Sequence, residues 1–320
     1  MKIAYIGGSW SSNIGNSFYN IGTDLFLKKI GSTDHVFIPE VPQWASPNVN
    51  NDFDPIGYLD VDLVIFTGPC LNLKIEGIYK KTFDLLQKRK IPIAFLSAGM
   101  SIYDAGEAMQ VRTFLDRYKP SFIFTRDDHT ATFLKAAGIA NVHKGICMSF
   151  YLNEGPKYPE LAMGEYVVLK FDEEEPVIHG DEFSGFSTEK RTWRNRNAYP
   201  ERINGLEVVR TRNDSITAGA KYIYSRNNSY HSDLPFGYLT ILKNAKYVLS
   251  ERVHTCAASI VLGSAAQYIP HSTRSLEKRV SLFEKIGLKG ITSKPCKIDS
   301  IVLDKEKNKL EAMVKESFQK

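Results

Sequence analysis

The segment SERVHTCAASIVLGSAAQYIPHSTRSLEKR (250–279) sets two arginines and a histidine where they could act together on one anion. A buried-strand run, KYVLS, leads straight into Glu251-Arg252-Val253-His254, and a helix of small residues, TCAASIVLG, begins immediately after. Arg252 and His254 are two apart in what reads as an extended segment, which predicts side chains on the same side. The helix that follows directs its first amides and the positive end of its dipole into the same space. Ala257, Ala258 and Ser259 are small enough to let that helix lie close against a sheet. Arg274 comes after the next apolar run, twenty residues beyond His254, and is predicted at the neighbouring strand's carboxyl end. Any one of these residues could be a solvated or capping group. Three of them at equivalent strand ends, with a helix N-terminus between, point to anion binding by guanidinium forks and proton transfer by an imidazole whose ordinary pKa lies near neutrality.

Two further groups carry candidate chemistry. Tyr230-His231-Ser232-Asp233 precedes a helix predicted from Pro235, so Asp233 reads either as part of its N-cap or as a base toward a hydroxyl. The loop from Gly7-Gly8 to Gly15 joins a strand to a helix but lacks both the GxGxxG spacing and the phosphate-loop lysine. It reads as lining a ligand site, not as a dinucleotide loop.

These residues need a scaffold of strand ends. In the first half, KIAYIG (2–7), DLVIFTG (62–68), IPIAFLSAG (91–99) and SFIFTR (121–126) are apolar runs of strand length, the last ending at Arg126. Helical patterns at 75–89, 105–118 and 127–138 alternate with them, which predicts a parallel sheet with both faces covered. The Pro- and Gly-containing stretch 152–165 reads as a linker. A second series follows, with strands at 166–171, 206–212, 246–250 and 266–269 and helices near 235–245, 254–262 and 275–286. A charged helix at 302–319 closes the chain, giving expected domains 1–153 and 154–301 and a terminal helix 302–320. The span 172–204, acidic at 172–175 and basic and aromatic at 190–202, reads as a solvated loop; Trp193, Tyr199 and its arginines would otherwise clamp an anionic sugar carrier.

Composition narrows the class. With 320 residues, 43% hydrophobic and 24% charged, the chain has the balance of a globular protein of two ordinary domains. No run approaches the roughly 20 apolar residues that span a bilayer, and MKIAYIGGSW reads as a strand and not a leader, so a cytoplasmic location is expected. The net charge of +5 suits anionic small ligands or peripheral contact with acidic lipid at the inner face of the membrane, and falls short of a nucleic-acid signature. Cys70, Cys147, Cys256 and Cys296 are widely spaced, with no CxxC pair and no clustered histidines, so buried thiols are expected and no metal site or cofactor.

Taken together, these motifs resemble the polysaccharide pyruvyltransferase family. Its C-terminal hallmark, S-x-R-x-H before a small-residue helix ending in Gly, is matched by Ser250, Arg252, His254 and Gly263, with Arg274 at the basic position. Near the N-terminus SSNIGNSF matches the family loop at Asn13 and Gly15, with Asn16 where Asp is usual. SAGMS (97–101), FTRDDHTATFLKAAGI (124–139) and GICMS (145–149) resemble further family segments, whereas Ser264-Ala265 replaces the usual Val-Pro. The resemblance implies an α/β fold of two Rossmann-like domains with parallel sheets facing across a cleft, similar to GT-B glycosyltransferases. It implies phosphoenolpyruvate as donor, held by Arg126, Arg252 and Arg274, with His254 as the general acid. A sugar acceptor, lipid-linked or nucleotide-linked, would lie toward Asn13, Gly15, Asn16 and Asp233, and the product would be a cyclic pyruvate ketal in cell-surface polysaccharide. A nucleotide-sugar glycosyltransferase of the same architecture is the alternative, and a polysaccharide-binding protein without catalysis is a third reading.

Overall fold

The computed structural model describes residues 1–9, 13–40, 55–172, 176–181, 185–189, 201–213, 228–232, 234–270 and 276–319. The chain divides into two compact units, one of residues 1–9, 19–148 and 301–320, the other of residues 10–18 and 149–300.

The first unit is built on six parallel strands: β1 (Ile3–Gly8), β2 (His35–Glu40), β3 (Leu63–Gly68), β4 (Ile93–Ala98), β5 (Ile123–Thr125) and β6 (Val142–Lys144). Their spatial order is β2-β1-β3-β4-β5-β6, a doubly wound order in which the chain reverses direction between β1 and β3. The helices are α1 (Gly15–Lys29), α2 (Ile75–Arg89), α3 (Ala105–Tyr118) and α4 (Asp128–Ala136). Phe66, Phe83, Phe95 and Phe114 stack across the sheet–helix layer, with Phe66 and Phe83 centroids 4.6 Å apart. The two strands without a sequence forecast, β2 and β6, are the two edges of this sheet. Their residues are buried only in part, so they lack the continuous apolar run that marks a central strand.

The second unit has a five-stranded sheet in the order β10-β11-β7-β12-β13. Its strands are β7 (Tyr166–Lys170), β10 (Arg202–Ile203), β11 (Leu206–Thr211), β12 (Tyr247–Ser250) and β13 (Ala265–Tyr268). All pairings are parallel except β10 with β11, a hairpin closed by Asn204 and Gly205, both at positive φ, as a two-residue Asn-Gly turn requires. A separate antiparallel pair, β8 (Val177–Asp181) and β9 (Gly185–Glu189), lies within the span expected to be a solvated loop. Helices α5 (Pro235–Asn244), α6 (Val253–Val261) and α7 (Leu276–Glu284) complete this unit. Alternate residues of β7 serve different faces: Val167, Leu169 and Phe171 join one apolar cluster, while the Tyr166 hydroxyl donates to the Ile241 carbonyl of α5 at 2.8 Å.

The last helix, α8 (Ser300–Ser317), belongs to the first unit. It buries Leu303, Leu310 and Val314, pairs Glu311 with Lys29 at 3.3 Å, and is followed by Phe318 against Phe122. Segment 148–154 is a short 3₁₀ helix, so irregular backbone in the expected linker begins only after it. Cys70, Cys147 and Cys256 are buried and Cys296 is partly so, as expected of core thiols.

Candidate active site

The second sheet repeats the winding of the first. From β7 the chain steps to β11 on one side, then crosses back to β12 on the other. The carboxyl ends of β7 and β12 therefore form a topological switch point, where open parallel sheets bind ligands. Lys170 and Asp172 leave the first of these strands, and Glu251 and Arg252 leave the second.

Asp172 is 2% exposed and sits at the centre of a charged cluster. Its Oδ2 accepts from Arg252 Nε at 2.5 Å, and its Oδ1 accepts from the Asn213 backbone N–H at 2.6 Å. Arg212 Nε lies 3.9 Å from the same Oδ1. The Asp172 N–H donates to Glu251 Oε1 at 2.8 Å, and Arg252 Nε lies 3.6 Å from that oxygen. Ser250 ties the two strand ends together, its hydroxyl donating to the Lys170 carbonyl and accepting from the Arg252 N–H. Arg252 thus has its approach fixed on both backbone and side chain while its side chain keeps 21% of its surface exposed.

Arg252 is the N-cap residue of α6, and its side chain makes no capping hydrogen bond to that helix. A helix N-terminus of this kind favours an anion through its dipole and first-turn N–H groups, although the Thr255 N–H already donates to the Arg252 carbonyl. His254 is the second residue of the helix, not part of an extended segment. The expectation that Arg252 and His254 share a side by strand alternation is therefore corrected: the strand ends at Ser250 and helical geometry begins at Val253. Cys256, Ala257, Ala258 and Ser259 are fully buried, as close packing of this helix on the sheet demands.

Lys170, which the sequence reading did not single out, is fully buried, with Nζ 4.1 Å from the Tyr238 ring centroid and 5.6 Å from that of Phe18. Burial lowers its pKa to about 7; Asp172 opposes that shift and the Arg252 charge adds to it. The Tyr238 hydroxyl is 3.2 Å from His231 Nδ1, so the Tyr230–His231 motif packs on the helix that covers Lys170.

The N-terminal loop joins this unit through backbone. Ile14 N–H donates to the Asn213 carbonyl at 2.9 Å, and Asn13 accepts from Gly15 N–H through Oδ1 and from Asn16 N–H through its carbonyl. Asn13, Gly15 and Asn16 are thereby linked to the Asp172–Arg252 cluster through Asn213. The reading of 172–204 as a solvated loop is corrected at its first residue, since Asp172 is buried in this network. Arg274, Asp233, Trp193 and Tyr199 lie outside the described residues. The N-cap of α5 is Leu234, with Ser232 Oγ accepting from its N–H.

Arg126 belongs to the first unit and is 5% exposed. One of its terminal amino groups donates to the Met100 carbonyl at 3.0 Å and to the Tyr103 hydroxyl at 2.8 Å, and Nε faces Asp127. Asp127 in turn caps α4 through the Thr130 N–H. A Cβ at Gly99 would collide with this guanidinium, which explains the glycine there. The SAGMS and GICMS segments also meet, Met148 N–H donating to Ser97 Oγ at 3.0 Å. Ser97 carries a positive φ where β3–β4–β5 register shifts.

Missed residues cluster by one rule. Lys170, Asp172, Arg212 and Asn213 all stand where an apolar strand runs into polar sequence (YVVLKFD, LEVVRTRN), the signal that pointed to Arg252 in KYVLSER.

Parallel α/β sheets with charged strand ends at a switch point define a GT-B-like fold. Solved structures agree: the S. aureus MnaA–UDP co-structure matches with TM-score 0.56 and 12% identity over 99% of this chain and 91% of that one. UDP-GlcNAc 2-epimerase from Neisseria meningitidis, bound to UDP-GlcNAc, matches with TM-score 0.55 and 12% identity over 98% and 100%. At such identity the likeness concerns fold alone. No curated protein sequence matches the chain. The family model for polysaccharide pyruvyl transferase matches residues 13–264, and the chain belongs to that family. It is accordingly a transferase of pyruvyl groups. Among the described residues, no helix is long and apolar enough to cross a membrane, and no cluster of three metal-ligating side chains occurs.

Proposed function

We propose that the protein transfers the pyruvyl group of phosphoenolpyruvate to a pair of sugar hydroxyls, forming a cyclic ketal, at the switch point of the second sheet. The observation that supports this best is Arg252, held by Asp172 at the N-terminus of α6. A guanidinium beside a helix N-terminus suits a ligand with a phosphate and a carboxylate. Arg274 is proposed as the second donor-binding arginine. Arg126, in the first unit, is tied to Met100, Tyr103 and Asp127 and shapes the loop after β4 there.

His254 donates a proton to the donor's methylene carbon, which becomes a methyl group and leaves an oxocarbenium-like centre at C2. One sugar hydroxyl adds to C2, the C2–O bond to phosphate breaks, and the second hydroxyl closes the ketal. Of the two hydroxyl protons released, one restores His254 and the other leaves with phosphate, so no redox partner is required. The segment Asn13–Asn16, linked through Asn213, faces the acceptor in this reading, and Asp233 remains a proposed base.

General acid help of this kind gives about 10²–10⁴-fold in rate. His254→Ala should lose at least a hundredfold in phosphate release from phosphoenolpyruvate with an acceptor sugar, while still being thermally stabilised by the donor. A variant that kept most of the turnover would remove His254 from the mechanism.

A further inference from the structure

Asp172 lies outside the motifs read from the sequence, and it joins residues that follow three neighbouring strands of the second sheet. It follows β7, and it accepts from Arg252, beyond β12, and from the Asn213 N–H, beyond β11. The Asn213 carbonyl then accepts from Ile14 N–H in the loop that holds Asn13, Gly15 and Asn16. The chain of contacts is continuous: guanidinium, carboxylate, amide, loop. Both carboxylate oxygens are committed, one to each branch, so a shift of the carboxylate moves both.

The surroundings fix it further. The Asp172 N–H is held by Glu251 Oε1, and Arg212 lies on the Asn213 side. Lys170, two residues back on the same strand, adds a buried amine covered by Tyr238 and Phe18. Among the described residues, the Asp172 carboxylate thus stands among Arg252, Arg212 and Lys170, with Glu251 beside it. A carboxylate buried to this degree in a purely structural pair would be expensive to retain; one that aims the partly exposed Arg252 has a reason to be there.

We propose that Asp172 is a positioning residue that sets the Arg252 fork for the donor and, through Asn213, couples it to the Asn13–Asn16 loop. The proposal rests on the donor reading above for its ligand, but not for its geometry. Aligning the fork affects how tightly the donor is held; coupling to the loop means that filling the donor site steadies Ile14 and Asn213.

The full-length protein tests it by two routes. Without ligand, the Arg252 Nε–H resonance should exchange slowly in the wild type and at least tenfold faster in Asp172→Asn; an unchanged rate overturns the proposal. With phosphoenolpyruvate, Asp172→Asn should weaken binding at least tenfold when Arg252 is present, and less than twofold in an Arg252→Lys background. Equal losses in both backgrounds would mark general destabilisation and overturn it. Should Asp172→Asn fail to fold, the wild type decides: phosphoenolpyruvate should slow amide exchange at Ile14 and Asn213, and unaltered exchange at both overturns the coupling. If the donor leaves the wild type unaffected while the ligand-free resonance behaves as expected, the donor reading falls and the positioning of Arg252 stands.

Discussion

Lys170 carries a charge into a place with little to stabilise it. Its Nζ faces two aromatic rings, with the Asp172 charge favouring its protonated form and Arg252 a competing cation. A lysine in the unfolded chain titrates near 10.4, whereas burial brings this one to about 7 in the folded state. Between those values the unfolded chain holds more protons, so stability gains with rising pH, by at most about 1.4 kcal/mol per pH unit. Below about pH 7 the lysine is charged in both states and the full cost of burying the charge is felt. Replacing it by methionine, which fits beside Tyr238 and Phe18, removes this dependence. Lys170→Met should therefore melt higher than the wild type at pH 6.5, with the advantage shrinking steadily toward pH 9.5. A difference in melting temperature that stays constant over that range would show that Lys170 does not titrate there.

At the scale of elements, loops at strand ends are held by side chains that reach back to backbone. After β4, Glu107 is buried at the third position of α3 and accepts from the N–H groups of Ser101, Ile102 and Tyr103. Asp104 caps the same helix through the Glu107 N–H, while the Glu107 side chain reaches back past Asp104 to the loop before it. Glu107→Ala would leave several part-buried donors unsatisfied and should cost about 3 kcal/mol in chemical unfolding; a loss under about 1 kcal/mol would mean that the loop finds other partners. Elements of this kind explain what the sequence could and could not disclose. Central strands such as β3 and β4 are buried on both faces and announce themselves as LVIFTG and IAFLSA. Edge strands β2 and β6 do not, because solvent-facing positions interrupt their apolar runs. The β10–β11 hairpin carried a readable Asn-Gly signal at 204–205 that a search for βαβ alternation passes over. Arg252 was legible from its place between a strand and a small-residue helix. Asp172 was not, since DEEE reads as a charge run, and only pairing of β7 with β12 brings its first residue beside Arg252.

At the scale of the molecule, two units repeat one plan: a parallel sheet with the chain reversing beside its first strand. Each collects polar groups at the carboxyl ends of its strands, Arg126 and Asp127 in one, Asp172 and Arg252 in the other. Membership of the pyruvyl transferase family fixes the kind of group transferred; the site supplies the reason for proposing phosphoenolpyruvate as its source. The direct test is thermal unfolding of the wild type and Arg252→Ala with phosphoenolpyruvate, and with uridine diphosphate as control. The proposed mechanism predicts a rise in melting temperature with phosphoenolpyruvate alone, lost in Arg252→Ala. Stabilisation by the nucleotide alone, or by phosphoenolpyruvate equally in both proteins, would contradict it.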